Sequence, residues 1–131
     1  MSDSFKFEIV NPEKIIFSSD VKMVTLPSFE GDMGILKGHV PIITFLRPGI
    51  IKAEVEAKKF EEFFVQDGII EYFNDNLVVL SASVENIKSL SREFLDNLNK
   101  NIQDQLLKKD ITDNDRYILN HKLDTIKDIR V

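Results

Sequence analysis

The residues best suited to acid–base or ligand chemistry near neutral pH are two histidines, His39 and His121, in a chain of 131 residues without cysteine. Neither has the company a catalyst needs. A nucleophilic mechanism requires a nucleophile, a base and an orienting group within reach of one another. No recognisable spacing links His39, set among glycines and a proline, to such partners. A metal centre needs about three or four ligands, and two histidines with scattered acids do not supply them. Paired carboxylates occur at Glu61-Glu62 and at Asp113 and Asp115. Adjacent strand residues point to opposite faces, and acids in the first turn of a helix answer its macrodipole. Both pairs therefore read as structural. The expectation is a chain that is not an enzyme, with no catalytic residue, metal ligand or cofactor-binding residue.

The run 30–44 is the most informative stretch, reading Glu-Gly-Asp-Met-Gly-Ile-Leu-Lys-Gly-His-Val-Pro-Ile-Ile-Thr. Glycine permits positive φ and close backbone approach, whereas proline fixes φ and cannot donate to a ladder. Three glycines, a histidine and a proline between apolar residues predict a shaped loop that leads into a buried strand. Phe29, at its edge, fits either an exposed anchor for a partner or a core residue.

Two kinds of element must position that loop. Up to about Glu85 the pattern is β. Phe5, Phe7 and Ile9 alternate with Lys6 and Glu8, and Ile51, Ala53 and Val55 alternate with Lys52, Glu54 and Glu56. Further strands fall at 63–65, 69–73 and 77–80, separated by turn signals such as Pro48-Gly49, Asp67-Gly68 and Asn74-Asp75-Asn76. Many short strands at this spacing predict a sandwich or flattened barrel. After Ile87 the period becomes four: Leu90, Phe94, Leu98, Ile102 and Leu106, joined by Leu95 and Leu107. Thr112 with Asp115 reads as a capping box. It opens a second helix with Leu119, Leu123 and Ile126 on one side and Tyr117, Ile118 and Ile129 widening the stripe. The predicted organisation is a β domain over 1–86 and an antiparallel helical hairpin over 87–131.

Composition narrows the function classes. The net charge is −5, which argues against nucleic acid as a partner. Residues 1–84 carry 8 basic and 13 acidic side chains, and residues 85–131 carry 9 of each. The hairpin is thus the less acidic part, which fits either a solvated helical face or a partner surface. No apolar run approaches the roughly 20 residues that span a bilayer, and residues 1–4 give no sign of a leader. Two short helices packed only on each other are marginal. The hairpin should need a third surface, either the β domain or a partner, and could exchange between them.

The motif Glu30-Gly31-Asp32-Met33-Gly34-Ile35, followed by Gly38-His39 and Pro41, resembles the signature of the epsilon subunit of F-type ATP synthases, the mitochondrial delta subunit. Phe17-Ser18-Ser19-Asp20-Val21, Pro48-Gly49, and Gly68, Asn76, Val79 and Leu80 are similar to further family positions, so the likeness runs along nearly the whole chain. It implies a β-sandwich of about ten strands followed by a two-helix hairpin. It implies a non-catalytic central-stalk part that couples rotation of the c-ring to the catalytic head. The implied partners are the gamma subunit and the polar loops of the c-ring, met by the region of Glu30, Asp32, Met33 and His39. The hairpin would extend toward the alpha/beta head and block ATP hydrolysis, with Lys108, Lys109, Arg116 and Lys122 facing an acidic segment of the beta subunit. The implied location is peripheral, on the cytoplasmic face of a bacterial inner membrane. Competing readings are an ATP-sensing regulatory module and a stand-alone β-sandwich adaptor. Family members that bind ATP carry Ile/Leu-Asp-x-x-Arg where this chain has Leu90-Ser91-Arg92-Glu93-Phe94. Ser91 and Phe94 replace the acid and the arginine, which implies weak or absent ATP binding.

Overall fold

The computed structural model describes residues 3–129. They form ten strands, β1 (Phe5–Val10), β2 (Ile15–Val21), β3 (Met23–Ser28), β4 (Gly31–Ile35), β5 (Ile42–Leu46), β6 (Gly49–Glu56), β7 (Lys59–Val65), β8 (Gly68–Phe73), β9 (Asn76–Leu80) and β10 (Val84–Asn86). A 3-10 turn (Ile87–Ser89) leads into helices α1 (Arg92–Leu106) and α2 (Asp113–Asp128). The strands hydrogen-bond in the order β10-β7-β6-β3-β5-β8-β9-β1-β2, with β4 returning along β3. All pairs are antiparallel except β1 with β9. β2 comes round to lie against β6, so the sheet curls into a nearly closed, flattened barrel.

Alternation decides the interior. Phe5, Phe7 and Ile9 of β1, Ile51 and Ala53 of β6, and Leu77 and Val79 of β9 are all buried in one cluster. Rings tie the two sides together, with Phe17 packed 5.8 Å from Phe7 and 5.0 Å from Phe63 between centroids. The β8–β9 turn places Asn74 at φ 51° and Asp75 at φ 60°. Two successive positive φ values match the right-handed twist of a tight hairpin. At Gly68, φ is 147° and an added Cβ would sit 2.6 Å from the Leu80 carbonyl oxygen. Only glycine fits there, and the Asp67 carboxylate before it accepts from the Ser83 hydroxyl at 3.0 Å.

The third surface required by the hairpin is the outside of β6 and β7. Phe63 and Val65 point into the barrel, whereas Phe64 points out and is still fully buried. Leu90 and Leu95 bury it, with Ile50 (opposite Phe64 in the ladder), Ile87, Phe94, Leu98, Ile126 and Ile129 packed around. The Thr112–Asp115 capping box forms in both directions.

Three expectations need correction. Leu90, the first residue of the period-four series, lies before the first helix, which starts at Arg92 because the Ser91 hydroxyl caps it by accepting from the Phe94 N–H at 3.1 Å. Leu107 lies past the last turn and is 81% exposed, so it does not belong to the apolar stripe. The run 30–44 is not one loop leading into a buried strand. Gly31–Ile35 is the return strand of a hairpin, and β5 is buried on one face only.

Candidate docking surfaces

The β3–β4 hairpin positions three of the residues singled out in the sequence. Its turn is held by Ser28, which donates from its hydroxyl to the Gly31 carbonyl at 2.6 Å and accepts from the Glu30 N–H at 3.2 Å. Glu30 is exposed at the tip. Asp32 is exposed on β4 and pairs with the half-buried Arg47 at 2.9 Å. Met33 turns the other way and packs on the barrel core. Phe29, beside Glu30, stacks on Tyr117 of α2 with centroids 5.8 Å apart and planes at 19°. Tyr117 in turn meets the edge of His121 at 4.4 Å. Of the two readings open for Phe29, the structure gives a third answer: it is a contact between barrel and hairpin.

His39 is held elsewhere, in the connection between β4 and β5. Its Nδ1 lies 2.7 Å from the Val40 carbonyl, which can only accept, so that nitrogen carries the proton. Its ring stands edge-on to Tyr72 at 5.6 Å. The Tyr72 hydroxyl donates to the Asp75 carboxylate at 2.8 Å, and the Gly38 N–H reaches both, at 3.0 Å to Asp75 and 3.2 Å to the Tyr72 oxygen. Gly38 sits at φ 85°, which turns its N–H toward them. The Tyr72 hydrogen bond and then the Gly38 N–H hold the Asp75 carboxyl below its ordinary range. Burial, then the bond to Asp75, pushes the Tyr72 phenol up. The arrangement is a clamp on the Gly-His-Val-Pro segment. The structure places the two histidines in different contacts, His39 against Tyr72 and His121 against Tyr117.

The largest feature missed in the sequence is an apolar face on the outside of β5, β8 and β9. Ile43, Phe45 and Phe73 are 71%, 61% and 64% exposed, and Ile69, Leu80 and Val40 join them. The ladder sets Phe45 against Ile69 and Ile69 against Leu80. The signal was present: 42–46 and 69–73 carry apolar residues at both parities, whereas 5–9 and 51–55 alternate with charges. Such runs read as strands buried on both faces, and here one face is bare. Contiguous exposed apolar surface marks a site of association.

The cations singled out in the hairpin gather loosely at its free end. Lys108 and Lys109 lie in the α1–α2 connection, and Arg116 and Lys122 on α2. Lys108 and Lys122 line a cleft of about 390 Å³ with Gln105, Asp110, Asp115 and Ile118, while Lys109 and Arg116 stand outside it, exposed. Among the described residues none of the four makes an ion pair.

Comparison with known proteins decides what this architecture belongs to. Residues 4–87 match the family described as ATP synthase, Delta/Epsilon chain, beta-sandwich domain. The chain is 46% identical over 129 residues to the ATP synthase epsilon chain of Pelagibacter ubique, covering 97% of this chain and 98% of that one. The chain belongs to the ATP synthase epsilon chain family. Epsilon chains are non-catalytic subunits, in keeping with two histidines that serve as packing and hydrogen-bonding groups. Chains of two solved assemblies share the fold at low identity. A chain of the Euglena gracilis mitochondrial ATP synthase structure (OSCP/F1/c-ring) superposes with a TM-score of 0.76 at 18% identity, over 97% of this chain and 79% of that one. A chain of the Tetrahymena thermophila mitochondrial ATP synthase central stalk and c-ring gives 0.59 at 14% identity, over 93% and 90%. No helix among the described residues is long and apolar enough to cross a membrane.

Proposed function

We propose that this epsilon chain works in the central stalk of a bacterial ATP synthase, as a rotor part peripheral to the membrane on its cytoplasmic side. The barrel, over 1–86, docks on the gamma subunit and on the polar loops of the c-ring, and so ties ring rotation to the shaft. The observation that carries this is the bare apolar face of β5, β8 and β9. The unfolded chain gains little from burying residues that stay wet in the monomer, so their apolar character has its use in the assembly. The clamped Gly38-His39-Val40 segment borders the same sheet, and places His39 at the rim of the gamma-facing surface. Glu30 and Asp32, exposed at the far end of the β3–β4 hairpin, carry the charge that polar ring loops would meet, with Met33 anchoring their strand to the core.

The hairpin, over 87–131, inhibits ATP hydrolysis when it leaves the barrel and extends toward the alpha/beta head. Its support is the small seat on Phe64 and the four cations Lys108, Lys109, Arg116 and Lys122, which make no ion pair among the described residues and suit an acidic segment of the beta subunit. Docking is tested by mixing the chain with the matching gamma subunit and following co-elution. The wild-type chain co-elutes; Phe45→Ala and Phe73→Ala, which alter exposed side chains, weaken binding while leaving the fold unchanged by circular dichroism. Unchanged binding by both variants would place the gamma contact elsewhere.

A further inference from the structure

The apolar face holds one charge in an odd place. Glu71 sits on the outward side of β8, with Ile43 opposite it on β5 and Val78 opposite it on β9. Ile69 and Phe73 precede and follow it on the same side of its own strand. Among the described residues its carboxylate makes no hydrogen bond and no ion pair. Pro41, Ile42, Ile43, Tyr72 and Phe73 enclose with it an open hollow of about 490 Å³. The same ladder row continues through Val78 to Glu8 of β1, a second acid. The nearest cation by ladder position is Lys6, set opposite Asn76 two strands away and two residues along. The face therefore presents a carboxylate inside an apolar field, without an ion pair among the described residues.

A partner that covers this face takes Glu71 out of water. A carboxylate buried without a counter-charge is expensive, and one that meets a cation with hydrogen bonds is tolerated and fixes register. We propose that the surface docking on β5, β8 and β9 is apolar and carries one arginine or lysine that enters the hollow and pairs with Glu71. Ile43, Phe45, Ile69 and Phe73 supply area, and Glu71 supplies orientation and selects against apolar surfaces that lack the cation. Glu8, further along the row, extends the acidic line that such a partner reads. This inference rests on the docking reading given above and adds the chemistry of what docks.

The opposing account is that Glu71 only keeps an apolar face soluble, as charges on exposed strands commonly do. Glu71→Leu separates the two. The probe is the matching gamma subunit, titrated with the full chain by calorimetry at about 0.1 M salt. Glu71→Leu adds apolar area. A solubility residue so replaced leaves affinity equal or better, whereas a pairing residue so replaced strands the partner's cation in the interface. The inference expects roughly thirtyfold weaker binding or more, and a loss at least as large for Glu71→Lys. Glu71 is exposed, so both variants should fold, which is checked by thermal unfolding. Equal or tighter binding by Glu71→Leu, with Phe45→Ala still weakened, overturns the inference and leaves the docking face intact. Full binding by both Phe45→Ala and Glu71→Leu overturns the docking face and the inference with it.

Discussion

The barrel and the hairpin bury their side chains in different ways. In the barrel, Phe7, Ile9, Val24, Leu26, Ile35, Ile51, Leu77 and Val79 have no exposed surface, and they come from strands spread along the first 80 residues. Each is held by several strands at once. Among the described residues the hairpin joins the barrel through a small cluster in which Phe64, Leu90 and Leu95 are buried, the stack of Phe29 on Tyr117, and a hydrogen bond of 3.5 Å from the Thr125 hydroxyl to the Pro48 carbonyl. Its helices, of 15 and 16 residues, are near the length at which isolated helices are marginal. One part is over-determined and the other is held by a few contacts on one side. A device that must keep a fixed grip while offering a movable arm would be divided this way.

That contrast can be broken from either side. Phe7→Ala should show the largest effect, with a cavity in the barrel costing about 3–5 kcal/mol and a single cooperative loss of strands and helices on heating. Phe64→Ala should act differently. Hydrogen exchange should show protection lost across α1 and α2, with β1 and β9 amides still protected, because the damaged cluster lies outside the barrel. Loss of strand protection in Phe64→Ala would mean that the hairpin is part of the barrel's cooperative unit. A smaller step, of about 0.5–1.5 kcal/mol, follows from removing the ring stack with Tyr117→Ala. It should speed exchange at the free end of the hairpin more than at its base.

Much of this division was legible in the sequence, and for identifiable reasons. Phe5, Phe7 and Ile9 alternate with charges, so their face was fixed by period alone. The change of period near Ile87 marked where strands give way to helices, and Thr112 with Asp115 marked the start of α2. What was hidden lay where both parities are apolar. Phe63-Phe64-Val65 does not reveal that Phe64 faces the hairpin, and Ile42-Ile43-Thr44-Phe45-Leu46 does not reveal that Ile43 and Phe45 stay exposed. Long-range pairings were hidden too. Phe29 with Tyr117, and Gly38 with Asp75, join residues that no local pattern connects. The same limit explains why Glu30, Asp32 and Met33 separate from His39 once β4 is recognised as a strand.

Two finer measurements sharpen the comparison at the barrel end. The folded Asp75 carboxyl lies below its usual value. Its contribution is therefore complete above the unfolded carboxylate range, neutral pH included, and is lost as pH falls through the lowered folded value. Tyr72→Phe removes the leading cause, so carbon-detected titration should show the Asp75 midpoint moving up; an unmoved midpoint would contradict the clamp. At the hairpin end, Ser91 is engaged as a helix cap and Phe94 is packed against Phe64's cluster. Millimolar ATP should accordingly stabilise the chain by less than about 0.4 kcal/mol, the value for a ligand present at its own Kd. A larger rise in Tm would restore the nucleotide-sensing reading.

The most direct test of the division of labour is ATP hydrolysis by the matching alpha, beta and gamma subunits, reconstituted once with the full chain and once with a chain ending at residue 87. Both chains should bind, and hydrolysis should be low only with the full chain. Equal hydrolysis with two bound chains would contradict the inhibitory hairpin, and failure of the shorter chain to bind would contradict a barrel that docks on its own.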